Sequence, residues 1–143
     1  MAPGKPTVLL LDDDADFLDL ERAIFEAAGF EVGSFCDPQA TLTAVGEAAG
    51  SGRAVLIVCD LMMKTLDSGF SFARSIKAEP RLKHIPIIIV SAIASQKGFD
   101  FHPRTADDLV AMNADAFFDK PVQPQVLLSK AKELLARQQE PGT

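Results

Sequence analysis

The sequence predicts an α/β protein: a doubly wound, five-stranded parallel sheet with helices on both faces. Two observations carry that expectation. Apolar, strand-like runs alternate with helical patterns along the chain, as successive βα units do. Several of those runs also stop on a polar group. Leu9-Leu10-Leu11 stops on Asp12-Asp13-Asp14, Val55 to Cys59 on Asp60, Ile85 to Val90 on Ser91, and Phe117-Phe118 on Asp119-Lys120-Pro121. Buried strands that each deliver a polar group at their C-terminal ends point to one site above the sheet. Open α/β sheets bind their ligands at that edge.

The elements follow in order. Val8–Leu11 reads as the first strand. Phe17, Leu20, Ile24 and Ala28 then recur at helical spacing, and Gly29 stops that helix. Phe30 to Phe35 alternates weakly and reads as a second strand, at an edge. Asp37 is placed to cap the next helix and Pro38 to occupy its first position; the helix runs toward Gly46 or Gly50. Ala54 to Cys59 is apolar throughout, as expected of a strand covered on both faces. Phe70, Ala73 and Ile76-Lys77 give a third helix, closed by Pro80. Pro86 to Val90 is the fourth strand and Ala116 to Phe118 a short fifth. Pro124 to Arg137 is the last helix, with Leu127, Ala131, Leu134 and Leu135 on one face. Between Ala92 and Asn113 only Thr105 to Met112 looks helical.

Bulk properties narrow the function classes. The chain has 143 residues with 48% apolar content, enough for one domain with a real core. A net charge of −6 argues against wholesale binding to nucleic acid or an anionic membrane, while leaving room for local basic patches. Cys36 and Cys59 match no metal-ligand spacing and read as reduced thiols of a cytoplasmic protein. His84 and His102 read as surface or loop residues. No apolar stretch approaches the ~20 residues that a membrane span needs. Residues 1–6 read as a flexible arm without a signal-peptide core, 7–137 as the folded domain, and 138–143 as a flexible tail.

Crowded carboxylates repel one another, and a divalent cation removes that conflict. Hard oxygen ligands, with no histidine and no usable cysteine, favour Mg²⁺ or Mn²⁺ over Zn²⁺. Magnesium usually keeps waters and shares phosphate oxygens. A lysine and a hydroxyl on neighbouring strand ends suit the remaining phosphoryl oxygens. The pattern therefore suits phosphoryl transfer by positioning and charge neutralisation, with a carboxylate as a possible nucleophile.

At this point the residues resemble the receiver domain of two-component response regulators, over about residues 6 to 137. The matching motifs are the acidic pair after strand one, the lone Asp after strand three, the hydroxyl after strand four and Lys-Pro after strand five. The resemblance implies a flavodoxin-like strand order, 2-1-3-4-5. It also implies that Asp60 is the phosphoacceptor, taking a phosphoryl group from a phosphohistidine. Asp12 and Asp13 would hold Mg²⁺ or Mn²⁺ together with Asp60 and the backbone carbonyl of Met62. Ser91, Ala92 and Lys120 would bind the phosphoryl group, and the Lys120-Pro121 bond would be cis. Ser91 and Phe117 would form the switch, remodelling the face made by the fourth helix, the fifth strand and the last helix. The implied partners are a sensor histidine kinase or histidine phosphotransferase and a downstream protein target, with no nucleic acid and no membrane. The protein would be a monomer or a phosphorylation-dependent homodimer. Few residues follow the last helix, so a stand-alone receiver is expected.

Some positions depart from the family pattern. Lys64 stands where a proline is usual, and Gly69 arrives one residue late. The stretch from Ser91 to Lys120 is longer than is common. Phe117 lacks a tyrosine hydroxyl, so its switching would work by packing alone. Apolar Met62 and Ile93 flank the position of the hydrolytic water, which implies slow self-dephosphorylation rather than enzymatic turnover. Two alternatives stand beside this reading. One is a small Mg-dependent phosphohydrolase of haloacid-dehalogenase type, with Asp12 as nucleophile and Asp14 as acid/base. The other is an inactive receiver fold used for docking.

Overall fold

The structure, a computed structural model, describes residues 5–60, 67–91, 113–119 and 122–138, with the backbone alone at 67–70, 91 and 138. Five strands form one parallel sheet: β1 (Thr7–Leu11), β2 (Glu31–Phe35), β3 (Val55–Cys59), β4 (Ile87–Ser91) and β5 (Ala116–Asp119). Their spatial order is β2-β1-β3-β4-β5, the predicted one. The described helices are α1 (Ala15–Ala27), α2 (Pro38–Ala49), α3 (Asp67–Ala78) and α4 (Pro124–Gln138). The helical stretch expected at Thr105 to Met112 lies outside the described residues, as do His102 and the chain ends.

Strand periodicity sorts the core into two layers. Leu9, Leu11, Val55, Ile57, Cys59, Ile87 and Ile89 face α2 and α3, where they meet Val45, Phe72 and Ile76. Their neighbours Val8, Leu10, Leu56, Val58, Ile88 and Val90 face α1 and α4, packing on Leu18, Phe25, Leu127 and Ala131. Both sides of the central strands are thus closed, which is why their sequences are apolar without alternation. Burying each such Val, Leu or Ile side chain contributes roughly 1.5–3 kcal/mol. β2 is an edge, as its weak alternation suggests; its residues are exposed or half-buried.

Local chemistry sets the helix ends. The Asp14 side chain caps α1, accepting from the backbone N–H of Asp16 at 3.1 Å and of Phe17 at 3.2 Å. Asp37 caps α2 by accepting from the Ala40 N–H at 3.0 Å, with Pro38 in the first turn. Gly29 takes φ +93° where α1 turns into β2, a conformation that a side chain would strain.

One apolar face needs correction. On α1 the buried residues are Leu18, Glu21 and Phe25, whereas Leu20 is 56% exposed. Leu18 and Phe25 fix the rotation of the helix; Phe17 and Ala28 pack at the margin of that face, and Leu20 falls on its solvent flank. On α3 the buried residues among the described side chains are Phe72, Ala73 and Ile76, while the side chain of Phe70 lies outside them. There Lys77 crosses to the start of β4 and β5, where its Nζ donates to Asp115 at 3.1 Å and to the Ile85 carbonyl at 2.9 Å. Asp115 also accepts the Ile87 N–H at 2.8 Å.

Candidate functional site

The sheet register brings the acids together. Leu11 pairs with Cys59, so the next residues, Asp12 and Asp60, leave adjacent strand tips side by side. Ladder-like bonds continue one step past both strands. The Asp60 N–H donates to the Leu11 carbonyl at 2.9 Å, and the Asp12 N–H to the Phe35 carbonyl at 3.1 Å. The two backbones are therefore held as firmly as the strands themselves.

Carboxylate oxygens of Asp12, Asp13 and Asp60 all lie within 4.8 Å of one another. Asp12 is 2% and Asp60 7% exposed, while Asp13 faces solvent. Asp12 Oδ1 accepts the Asp14 N–H at 3.0 Å, which orients that carboxylate at the mouth of α1. Asp14 is turned to its capping role and does not belong to the cluster. Two buried carboxylates this close are costly unless positive charge accompanies them. The donor set is oxygen alone, which suits a small hard cation. Cys59 is no competing ligand: burial, with the negative charge of Asp60, Asp12 and Glu21, pushes its thiol far above the ordinary range and keeps it protonated.

The remaining predicted residues divide into two groups. Ser91 ends β4 opposite Asp119 of β5, so its backbone sits at the same edge of the sheet. Phe117 is half-buried in β5 and packs on the α2–α3 side of the core. Met62, Lys64, Ala92, Ile93, Lys120 and Pro121, with the Lys120-Pro121 bond, lie outside the described residues. Cys36 is exposed, Cys59 is buried, and both are free thiols; His84 is exposed. Two features were not anticipated. Glu21 is a buried acid on the inner face of α1. Its neighbours Leu18 and Phe25 gave the only signal, since they place position 21 on the apolar side. The Lys77–Asp115 contact joins residues far apart in the chain and had no sequence signal.

Comparison with known proteins agrees with this geometry. The model of the response regulator receiver domain matches residues 8–132. The transcriptional regulatory protein GltR of Pseudomonas aeruginosa is 31% identical over 141 residues, covering 97% of this chain and 52% of that protein. The transcriptional regulatory protein PrrA of Mycobacterium tuberculosis is 32% identical over 143 residues, covering 97% and 54%. The chain therefore spans about half the length of these curated relatives. Among solved structures, the chemotaxis response regulator CheY4 of Vibrio cholerae superposes with a TM-score of 0.72 at 22% identity, covering 91% of this chain and 98% of that one. A response regulator receiver domain protein from Clostridium thermocellum gives 0.73 at 23% identity, covering 92% and 95%. These likenesses share the fold. The matches favour the receiver reading over a phosphohydrolase built on Asp12. With its family model spanning most of the sequence, the chain belongs to the response regulator receiver domain family of two-component signalling.

Proposed function

We propose that the chain is a phosphoacceptor, with Asp60 receiving a phosphoryl group from a phosphohistidine of a sensor kinase or histidine phosphotransferase. The observation that carries this reading is the convergence of Asp12, Asp13 and Asp60 at the tips of β1 and β3. An Asp60 carboxylate oxygen attacks phosphorus, the P–N bond breaks, and its electron pair leaves on the imidazole nitrogen, which takes up a proton. Asp12, Asp13, Asp60 and the Met62 carbonyl would hold Mg²⁺ or Mn²⁺, which supplies charge neutralisation between the carboxylates and the phosphoryl oxygens. Lys120 pairs with one phosphoryl oxygen, and Ser91 and the Ala92 backbone bond the others. The same contacts bias the switch, because the phosphoryl group gains Ser91 in one state only. Phe117 then repacks within β5. Apolar Met62 and Ile93 leave hydrolysis slow. Regulation of transcription is named for GltR and PrrA; for this chain the readout is proposed to be contact with a downstream protein.

Incubation with acetyl phosphate tests the reading. With Mg²⁺ the wild-type protein gains one phosphoryl group, stable through gel filtration. Asp60→Asn gains none, and chelation of Mg²⁺ abolishes the modification. Continuous phosphate release that depends on Asp12 and ignores Asp60 would restore the phosphohydrolase. No modification at all would leave a docking module.

A further inference from the structure

A corner of the molecule runs against the charge of the chain. Residues 74–84, at the end of α3 and in the turn into β4, contain Arg74, Lys77, Arg81 and Lys83 against the single acid Glu79, in a protein of net charge −6. Lys77 is committed to Asp115. Glu79 is itself exposed, and its side chain accepts the Arg81 N–H at 3.4 Å rather than pairing with a cation. Arg74, Arg81 and Lys83 are exposed and make no ion pair among the described residues. Elsewhere Arg22, Arg53, Lys130 and Arg137 each face a glutamate, and the other described cations without an ion pair, Lys5 and Lys132, stand singly on β1's leading edge and α4. The turn is also folded back on its helix, since Lys77 Nζ reaches the Lys83 carbonyl at 3.3 Å. The turn that carries Arg81 and Lys83 thus lies against the end of the helix that carries Arg74.

We propose that this corner docks an acidic, Asp- or Glu-rich segment of a partner protein. Charge complementarity selects the occupant. Guanidinium groups bind carboxylates in bidentate fashion, and two of the three cations are arginines. The corner offers no exposed large apolar residue: Phe72, Leu82 and Ile85 beneath it are buried, and the exposed ones among the described residues, Leu20 and Val126, lie on other helices. Insertion into a lipid surface is therefore disfavoured. A nucleic acid is a long anionic rod and would also meet the acids that dominate the rest of the molecule. A short acidic peptide meets the cations alone. Exposed pairs contribute only about 0–1 kcal/mol each, so the contact is weak, fast and salt-sensitive. It lies at the N-terminal end of β4, at the opposite end of the strand from Ser91, and does not require Asp60 to be modified. Its failure would leave the phosphoacceptor reading untouched.

The test uses the full chain and a fluorescein-labelled hexaglutamate peptide at low salt, followed by polarisation. Saturable binding is expected, weakened about tenfold or more by Arg74→Glu/Arg81→Glu/Lys83→Glu combined. The control Lys130→Glu/Lys132→Glu/Arg137→Glu, with the same change in net charge, retains wild-type affinity. Amide shifts on adding peptide to the wild-type chain locate the contact at residues 74–84, independently of how the variants fold. No saturable binding, equal loss in both triple variants, shifts elsewhere, or tighter binding of an oligonucleotide of equal charge would each overturn the proposal.

Discussion

Cys59 ends β3 with its thiol buried on the α2–α3 side, one residue before the acid proposed to accept phosphate. Burial and the nearby carboxylates raise its pKa above the ordinary thiol value of about 9. In the unfolded chain the thiol ionises near that value, while in the folded protein it stays protonated. Above it the unfolded state binds fewer protons, so stability falls as pH rises, by up to about 1.4 kcal/mol per pH unit. Below it the thiol is neutral in both states and has no effect. Chemical denaturation of metal-free protein between pH 8 and 10.5 should show this slope in wild type and a flatter one in Cys59→Ala, whose own truncation costs about 1 kcal/mol at every pH. A thiol reagent should titrate Cys36 in the native protein and both cysteines only after unfolding. At this scale the sequence was most legible where chemistry recurs at strand ends: Asp12, Asp13 and Asp60 converge as expected. Glu21 was not legible, because one acid at an apolar helical position looks like a surface residue until the rotation of the helix is known.

Elements were legible wherever their signals are local. Asp37 and Pro38 announced α2, Gly29 announced the end of α1, and continuous apolar runs announced β3 and β4. What failed was finer. The buried face of α1 is set by how Leu18 and Phe25 meet the sheet and α4, and that is a tertiary preference. The tie between α3, β4 and β5 depends on Asp115, 38 residues from Lys77. Asp115 satisfies the N–H of Ile87, a residue with no solvent exposure, so its removal strands a buried donor. Asp115→Ala should cost about 1–2 kcal/mol in urea denaturation, discounted for the half-exposed ion pair. Lys77→Met, which keeps the stem and Asp115, should cost less. Equal losses would mean that the bonds of the Lys77 ammonium, to Asp115 and to the Ile85 and Lys83 carbonyls together, weigh as much as the Asp115 contacts. Asp37→Ala should cost about 1 kcal/mol through its lost cap.

For the whole molecule, the parallel order β2-β1-β3-β4-β5 places the tips of β1 and β3 next to each other, and one register sets the separation of their acids. Folding the sheet therefore assembles the carboxylates, and the metal-free protein carries their repulsion. Mg²⁺ should raise stability by about 2.7 kcal/mol at a hundredfold excess over its Kd. Asp13→Asn should raise the thermal midpoint of the metal-free protein and abolish the Mg²⁺-dependent increase; an unchanged increase would place the ion elsewhere. The central claim is that one carboxylate in this cluster, Asp60, becomes the acyl phosphate. Borohydride reduction after treatment with acetyl phosphate and Mg²⁺, followed by peptide mapping, reads that position covalently. The account predicts a single reduced residue, at position 60, dependent on Mg²⁺. Reduction at Asp12 or Asp13 with Asp60 unmodified would contradict it.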